Sequence, residues 1–265
     1  MKTLFATLLI ALLAGCAGSG PRIDTSLSAK AQSSRVKFVI IHYTVGNLPQ
    51  SIKTLTQEGV SAHYLLTDQA EPIAYRLVDE TRQANHAGVS HWKNYTLLNS
   101  SSIGIEIVNP GYTIGPDGVR TWYPFPQAQI DQLIVLLKEI VARHQIAPEN
   151  ILGHSDIAPG RKQDPGPMFP WFQLAQAGLI TWPDAARVTA ARAQYEAQLP
   201  DVAWFQKRLA QHGYATPQTG ELDTGTRNAL ISLQMKYRPA AIDGTPDAET
   251  AALLDVLTTP AAKAP

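Results

Sequence analysis

The residues best equipped for chemistry lie in two places. His42 follows the apolar run Val36-Lys37-Phe38-Val39-Ile40-Ile41, and a loop from Gly153 to Gly166 carries His154, Asp156, Arg161, Lys162 and Asp164 between glycines and prolines. Imidazole nitrogens and carboxylate oxygens are the donors of hydrolytic metal centres, and they are also the groups of acid–base catalysis. The ten-residue separation of His154 and Asp164 is not a local metal motif of the HExxH kind. Spacing alone therefore leaves two readings open, a metal set or structural histidines beside a polar loop.

A further candidate is Glu106, in Ile103-Gly104-Ile105-Glu106-Ile107-Val108. On a strand, Ile103, Ile105 and Ile107 face one side while Gly104, Glu106 and Val108 face the other. A carboxylate in so apolar a strand needs a reason, either an ion pair with lysine or arginine or a catalytic task. Lys162 stands two residues before Asp164, and its ordinary fate would be a solvated loop lysine. Cys16 is the only cysteine, so no disulfide is available and a metal site must use histidine and carboxylate.

These groups need a frame. Val36 to Ile41 is short, β-branched and almost continuously apolar, as a strand buried on both faces requires. Its C-terminal end, where His42 sits, is the usual place for a site in α/β folds. Further strands are expected at Tyr64 to Thr67, Ile73 to Leu77, Ile103 to Val108 and Ile151-Leu152. Between Gln127 and His144, Ile130, Leu133, Ile134, Leu137, Ile140 and Val141 recur at helical steps and form one stripe to lay on a sheet. A second amphipathic stretch runs from Pro49 to Glu58. Alternating strands and helices predict an α/β domain over residues 35–183.

Residues 184–199 are alanine-rich and read as a connector. After Pro200 a pattern repeats, Gly220-x-x-Asp223-x-x-Thr226 and Gly244-x-x-Asp247-x-x-Thr250. Each glycine supplies a turn and each aspartate can cap the next helix, so a small all-α three-helix domain is expected over residues 200–258.

With 265 residues and 45% hydrophobic content, the chain can fill real cores. Lysine plus arginine equal aspartate plus glutamate at 22 each, so no positive field collects nucleic acid. At the N-terminus, Lys2, the apolar run Leu4 to Leu13 and Ala14-Gly15-Cys16 form a secretory signal too short to span a membrane comfortably. The small residues running into Cys16 resemble a bacterial lipobox, which implies lipidation at Cys16. Residues 1–16 are then the lipoprotein signal and 17–34 a tether. Ala17, rather than aspartate, after the cysteine resembles lipoproteins destined for the outer membrane, facing the periplasm.

The motifs IIHYT, SAHYLL, NHAG followed by HW, SIGIEIVN and GHSDIAPGRKQDPG occur in this order. Together they resemble the N-acetylmuramoyl-L-alanine amidases of the Amidase_2 type, in particular their lipid-anchored members and relatives acting on anhydro-muropeptides. The resemblance covers about residues 35 to 182 and implies an α/β fold with a central mixed sheet flanked by helices. It implies one zinc ion held by His42, His154 and Asp164, with Glu106 as general base and later proton donor and Lys162 stabilising the developing oxyanion. It also places His63, Tyr64, Asn85 and His86 near the substrate groove, whereas on residue type alone His63, His86 and His91 could equally be packing residues. Residues 200–258, with Phe205-Gln206-x-x-Leu209 and Gly213-Tyr214, resemble a three-helix peptidoglycan-binding module, which would raise local substrate concentration by tethering.

The expected activity is hydrolysis of the amide between N-acetylmuramic acid, intact or 1,6-anhydro, and the L-alanine of the stem peptide. The expected partners are peptidoglycan, muropeptides and, through the N-terminal lipid, the outer membrane; a monomer is expected. Two other readings compete: a non-catalytic peptidoglycan receptor on the same fold and a zinc peptidase cutting stem-peptide cross-links. Retention of His42, His154 and Asp164 together argues against the receptor.

Overall fold

The structure, a computed structural model, describes residues 20–259; the signal segment and Cys16 lie outside the described residues. The described residues fall into two units, 20–33 and 34–259. The first contains no helix or strand.

In the second unit the strands are β1 (Phe38–Tyr43), β2 (Tyr64–Leu66), β3 (Ala74–Arg76), the hairpin β4 (His91–Trp92) and β5 (Tyr95–Thr96), β6 (Ser102–Ile107), the hairpin β7 (Tyr112–Ile114) and β8 (Arg120–Trp122), and β9 (Ile151–Gly153). Five of them form one mixed sheet in the order β3-β2-β6-β1-β9. β1 runs parallel to both β6 and β9, and only β3 is antiparallel to its neighbour. The helices are α1 (Leu48–Gln57), α2 (Gln127–His144), the single turn α3 (His154–Ile157), α4 (Trp171–Gln176), α5 (Ala185–Ala197), α6 (Val202–His212), α7 (Thr224–Tyr237) and α8 (Ala248–Thr258). The expected α/β architecture with a helical C-terminal region is present.

Period-two alternation assigns each strand residue to one of two cores. Val39, Ile41, Ile103, Ile105 and Ile107 pack against Ile130, Leu133, Leu137 and Ile140, the apolar stripe of α2. On the opposite face Phe38, Ile40 and Leu152 join Phe205, Leu209, Leu230, Leu233 and Leu254 of α6, α7 and α8. The C-terminal helices thus supply the second layer of the sheet. The approach is close: Gly213 follows α6, and a Cβ there would lie 2.6 Å from the Trp92 indole.

Residues 200–258 hold the three expected helices, α6, α7 and α8. The preceding segment 184–199 is itself helical and packed: α5 lies along α8, buries Ala191 and bonds through Arg187 to the Thr259 carbonyl at 2.8 Å. The sequence repeat of residues 200–258 is a repeated geometry: Gln206 accepts from the Gly220 amide and donates to Thr226, and Gln234 does the same with Gly244 and Thr250. Asp223 and Asp247 cap α7 and α8 as expected, at 2.7 and 2.8 Å, each cap contributing about 1 kcal/mol.

On the α2 side, Glu80 accepts from Arg143, His144 and Tyr64 at 2.6–3.0 Å. Burial alone would raise its pKa, but these donors outweigh burial and hold it down at about 2. A depressed carboxylate contributes stability that is complete above its unfolded value near 4.5 and is lost as pH falls towards 2. Glu80→Gln is expected to lower unfolding free energy by about 1–2 kcal/mol at pH 7, after discounting for solvent at the cluster's rim. Urea titrations at pH 7 and pH 3 check this, since the gap between variant and wild type should narrow at the lower pH.

Candidate active site

The two faces of the sheet differ in one respect that creates the site. His42 and Glu106 are paired in register on β1 and β6, and alternation puts them on the face covered by the C-terminal helices. Phe38 and Ile40, in the same row as His42, are sealed under those helices. α1 covers the far side of this face through Leu55 on Leu65 and Val108. Between the two coverings a cleft of about 240 Å³ stays open over the strand ends, and His42, Asn85, His86, Glu106, Lys162 and Asp164 line it together with His154.

His154 begins α3 directly after β9, the neighbour of β1. The loop then returns so that the Ser155 amide donates to the Asp164 carbonyl at 2.9 Å, which closes the ten-residue gap in sequence. His42 Nδ1 lies 2.9 Å from His154 Nδ1 and 2.9 Å from Asp164 Oδ2, and the third edge of the triangle is 3.0 Å. All three residues are buried.

The remaining ring nitrogens fix the tautomers. The His154 Nε2–H donates to the Ala87 carbonyl at 3.1 Å. The His42 Nε2–H donates to His86 Nδ1 at 3.0 Å, His86 Nε2–H to Ser102 Oγ at 3.1 Å, and the Ser102 hydroxyl to the Leu98 carbonyl at 2.6 Å. Both Nδ1 lone pairs are left pointing at one spot beside a carboxylate. Burial, and then the neighbouring His154, push His42 down to about 4, so it is neutral at pH 7. Burial would raise Asp164, but the two imidazoles outweigh it and hold the carboxylate well below its ordinary range.

This donor set fits a divalent cation. Two facing lone pairs at 2.9 Å repel each other unless a positive charge lies between them. The edges approach the roughly 3.4 Å that separates ligand atoms in a tetrahedral zinc site with bonds near 2.1 Å. Among the described residues no other cluster of three or more such ligands is present.

Glu106 has no ion pair among the described residues, and its buried Oε2 has no hydrogen-bond partner. Burial, followed by the charge of Asp164, raises its pKa well above 4.5. The structural ion-pair explanation for this carboxylate is therefore gone. Lys162 is half-buried on the cleft wall and faces the same space.

The expected substrate-side residues divide. Asn85 and His86 reach the cleft, although His86 spends both nitrogens in orienting His42. His63 and Tyr64 do not line it. His63 accepts from the Gly104 amide and donates to the Arg82 carbonyl, while the Tyr64 hydroxyl donates to Glu80 on the opposite face. Both are framework residues, because the strand and its neighbouring loop use up their polar atoms. His91 stands on β4, also away from the cleft. The orienting role of His86 was not read from sequence. The available signal was Gly104, a glycine inside a strand: a Cβ there would meet the His86 ring at 2.4 Å.

The family model for N-acetylmuramoyl-L-alanine amidase, Amidase_2, matches residues 32–167. A peptidoglycan binding domain model, PG_binding_1, matches residues 198–254. The chain is 42% identical over 264 residues to the N-acetylmuramoyl-L-alanine amidase AmiD of Escherichia coli, with 93% of both covered. The structure of E. coli AmiD in complex with its substrate anhydro-N-acetylmuramic acid-L-Ala-D-γ-Glu-L-Lys matches with a TM-score of 0.82 at 41% identity, covering 91% of this chain and 95% of that one. AmpDh3 from Pseudomonas aeruginosa matches with a TM-score of 0.84 at 38% identity, covering 90% and 98%. Sequence order, fold and the His42–His154–Asp164 triangle agree, and the chain belongs to the Amidase_2 family of N-acetylmuramoyl-L-alanine amidases.

Proposed function

We propose that the chain binds one zinc ion through His42, His154 and Asp164 and hydrolyses the amide between N-acetylmuramic acid, intact or 1,6-anhydro, and the L-alanine of a peptidoglycan stem peptide. The observation that carries this reading is the triangle of three buried donors set beside an unpaired carboxylate in one open cleft. The substrate class is supported by AmiD, whose complex holds an anhydromuramyl peptide.

When bound, the ion supplies a positive charge that makes water a usable nucleophile near neutral pH and polarises the scissile carbonyl. Glu106, free of any competing partner, takes the proton from the attacking water and delivers it to the leaving nitrogen of L-alanine. Lys162 faces the negative charge that develops on the carbonyl oxygen. His86 and the Ala87 carbonyl hold the two imidazoles in the tautomer that keeps Nδ1 free.

On the lipobox reading of Cys16 the mature protein is anchored by lipid in the outer membrane, facing the periplasm. The test of the reaction is digestion of peptidoglycan by the purified chain with mass spectrometry of the products. Free stem peptides beginning at L-alanine are expected. Shortened stems still attached to sugar would instead identify a peptidase, and bound but unchanged material a receptor.

A further inference from the structure

The turn that carries His154 is held from the C-terminal helices. Asp156, two residues on, is 1% exposed. Its carboxylate accepts from the Gly153 amide at 2.9 Å, which ties it to the backbone just before His154. Its other two donors come from outside the amidase part of the sequence: the Tyr214 hydroxyl at 2.8 Å and the Lys236 ammonium at 3.0 Å.

Lys236 is itself only 6% exposed. It also donates to the Ile151 carbonyl of β9 at 3.2 Å and lies 4.2 Å from the centre of the Trp171 ring. Tyr214 stacks edge-on against Trp92 of the β4–β5 hairpin at 5.1 Å. Neither Tyr214 nor Lys236 reaches the catalytic cleft.

We infer that Tyr214 and Lys236 are positioning residues of the amidase reaction: through Asp156 they fix the turn bearing His154, so the helical region completes the metal site as well as covering the sheet. A buried carboxylate with three donors has one arrangement. Once the ammonium is lost, that carboxylate must find water or another partner, and the turn that it anchors moves with it. Outer-shell groups that set the orientation of metal ligands usually change metal affinity by about 10–100-fold.

This inference rests on the zinc reading above. The test uses the full chain and three proteins: wild type, Tyr214→Phe and Lys236→Met. Zinc affinity is measured by competition with a chromophoric chelator, and unfolding temperature and steady-state kinetics are recorded on the same preparations. Wild type should hold one zinc. Lys236→Met should bind it at least about tenfold more weakly, with kcat lowered and KM near that of wild type, and Tyr214→Phe should shift both quantities in the same direction by less. Tyr214→Phe removes one hydroxyl and no charge, so it keeps the test open if Lys236→Met fails to fold. Variants that melt earlier but bind zinc and turn over as wild type does would overturn the inference alone, leaving Tyr214 and Lys236 as packing residues. A wild type without zinc would overturn the metal reading and this inference with it.

Discussion

Asp164→Ala is expected to bring hydrolysis to background and to leave the purified chain without stoichiometric zinc. The carboxylate supplies one of three protein donors and the only negative charge within the triangle. Without it two imidazole nitrogens remain 2.9 Å apart, with no anion to offset a divalent charge. The loss of affinity should exceed the roughly 10–100-fold seen when only an outer-shell partner is removed. Metal analysis after dialysis, together with product release from purified muropeptides, measures both effects. A variant that keeps a full equivalent of zinc and wild-type turnover would sink the ligand assignment.

Glu106→Gln separates the base from the metal. Glutamine keeps the shape but cannot take up a proton, so kcat should fall by about 10²–10⁴ while zinc content stays at one. Burial already keeps Glu106 well above 4.5, so an amide there removes a costly buried charge and should not destabilise the fold. Because the base works deprotonated, wild-type activity should decline as pH drops through its pKa, and the variant's residual rate should lack that acid limb. Turnover within tenfold of wild type would show that another group carries the proton.

Much of this arrangement is determined by the chain's local order. The β-branched run ending at His42, the alternation that sets Glu106 apart from Ile103, Ile105 and Ile107, the apolar stripe of α2 and the aspartate caps of α7 and α8 all follow from periodicity and turn chemistry over a few residues. So does the gathering of polar groups in the loop from 153 to 166. Period two even fixes that His42 and Glu106 share a face once β1 and β6 pair in parallel register.

Tertiary structure alone decided what covers that face and what each polar atom meets. Sequence placed His63, Tyr64 and His86 together as substrate-side candidates. Only the pairing of strands and loops showed that His63 serves the Gly104 and Arg82 backbone, Tyr64 serves Glu80, and His86 orients His42. The C-terminal helices read as a tethered module, yet they form the sheet's second layer and reach Asp156 through Tyr214 and Lys236. The physical reason is range. Propensity, capping and alternation act between near neighbours, whereas the partner of a buried hydrogen-bonding group is chosen among residues up to about a hundred positions away by which surfaces close over each other. The single row Phe38, Ile40, His42 illustrates the division: its alternation is local, but only the packed helices decide that its first two members are sealed and its last is left open to do chemistry.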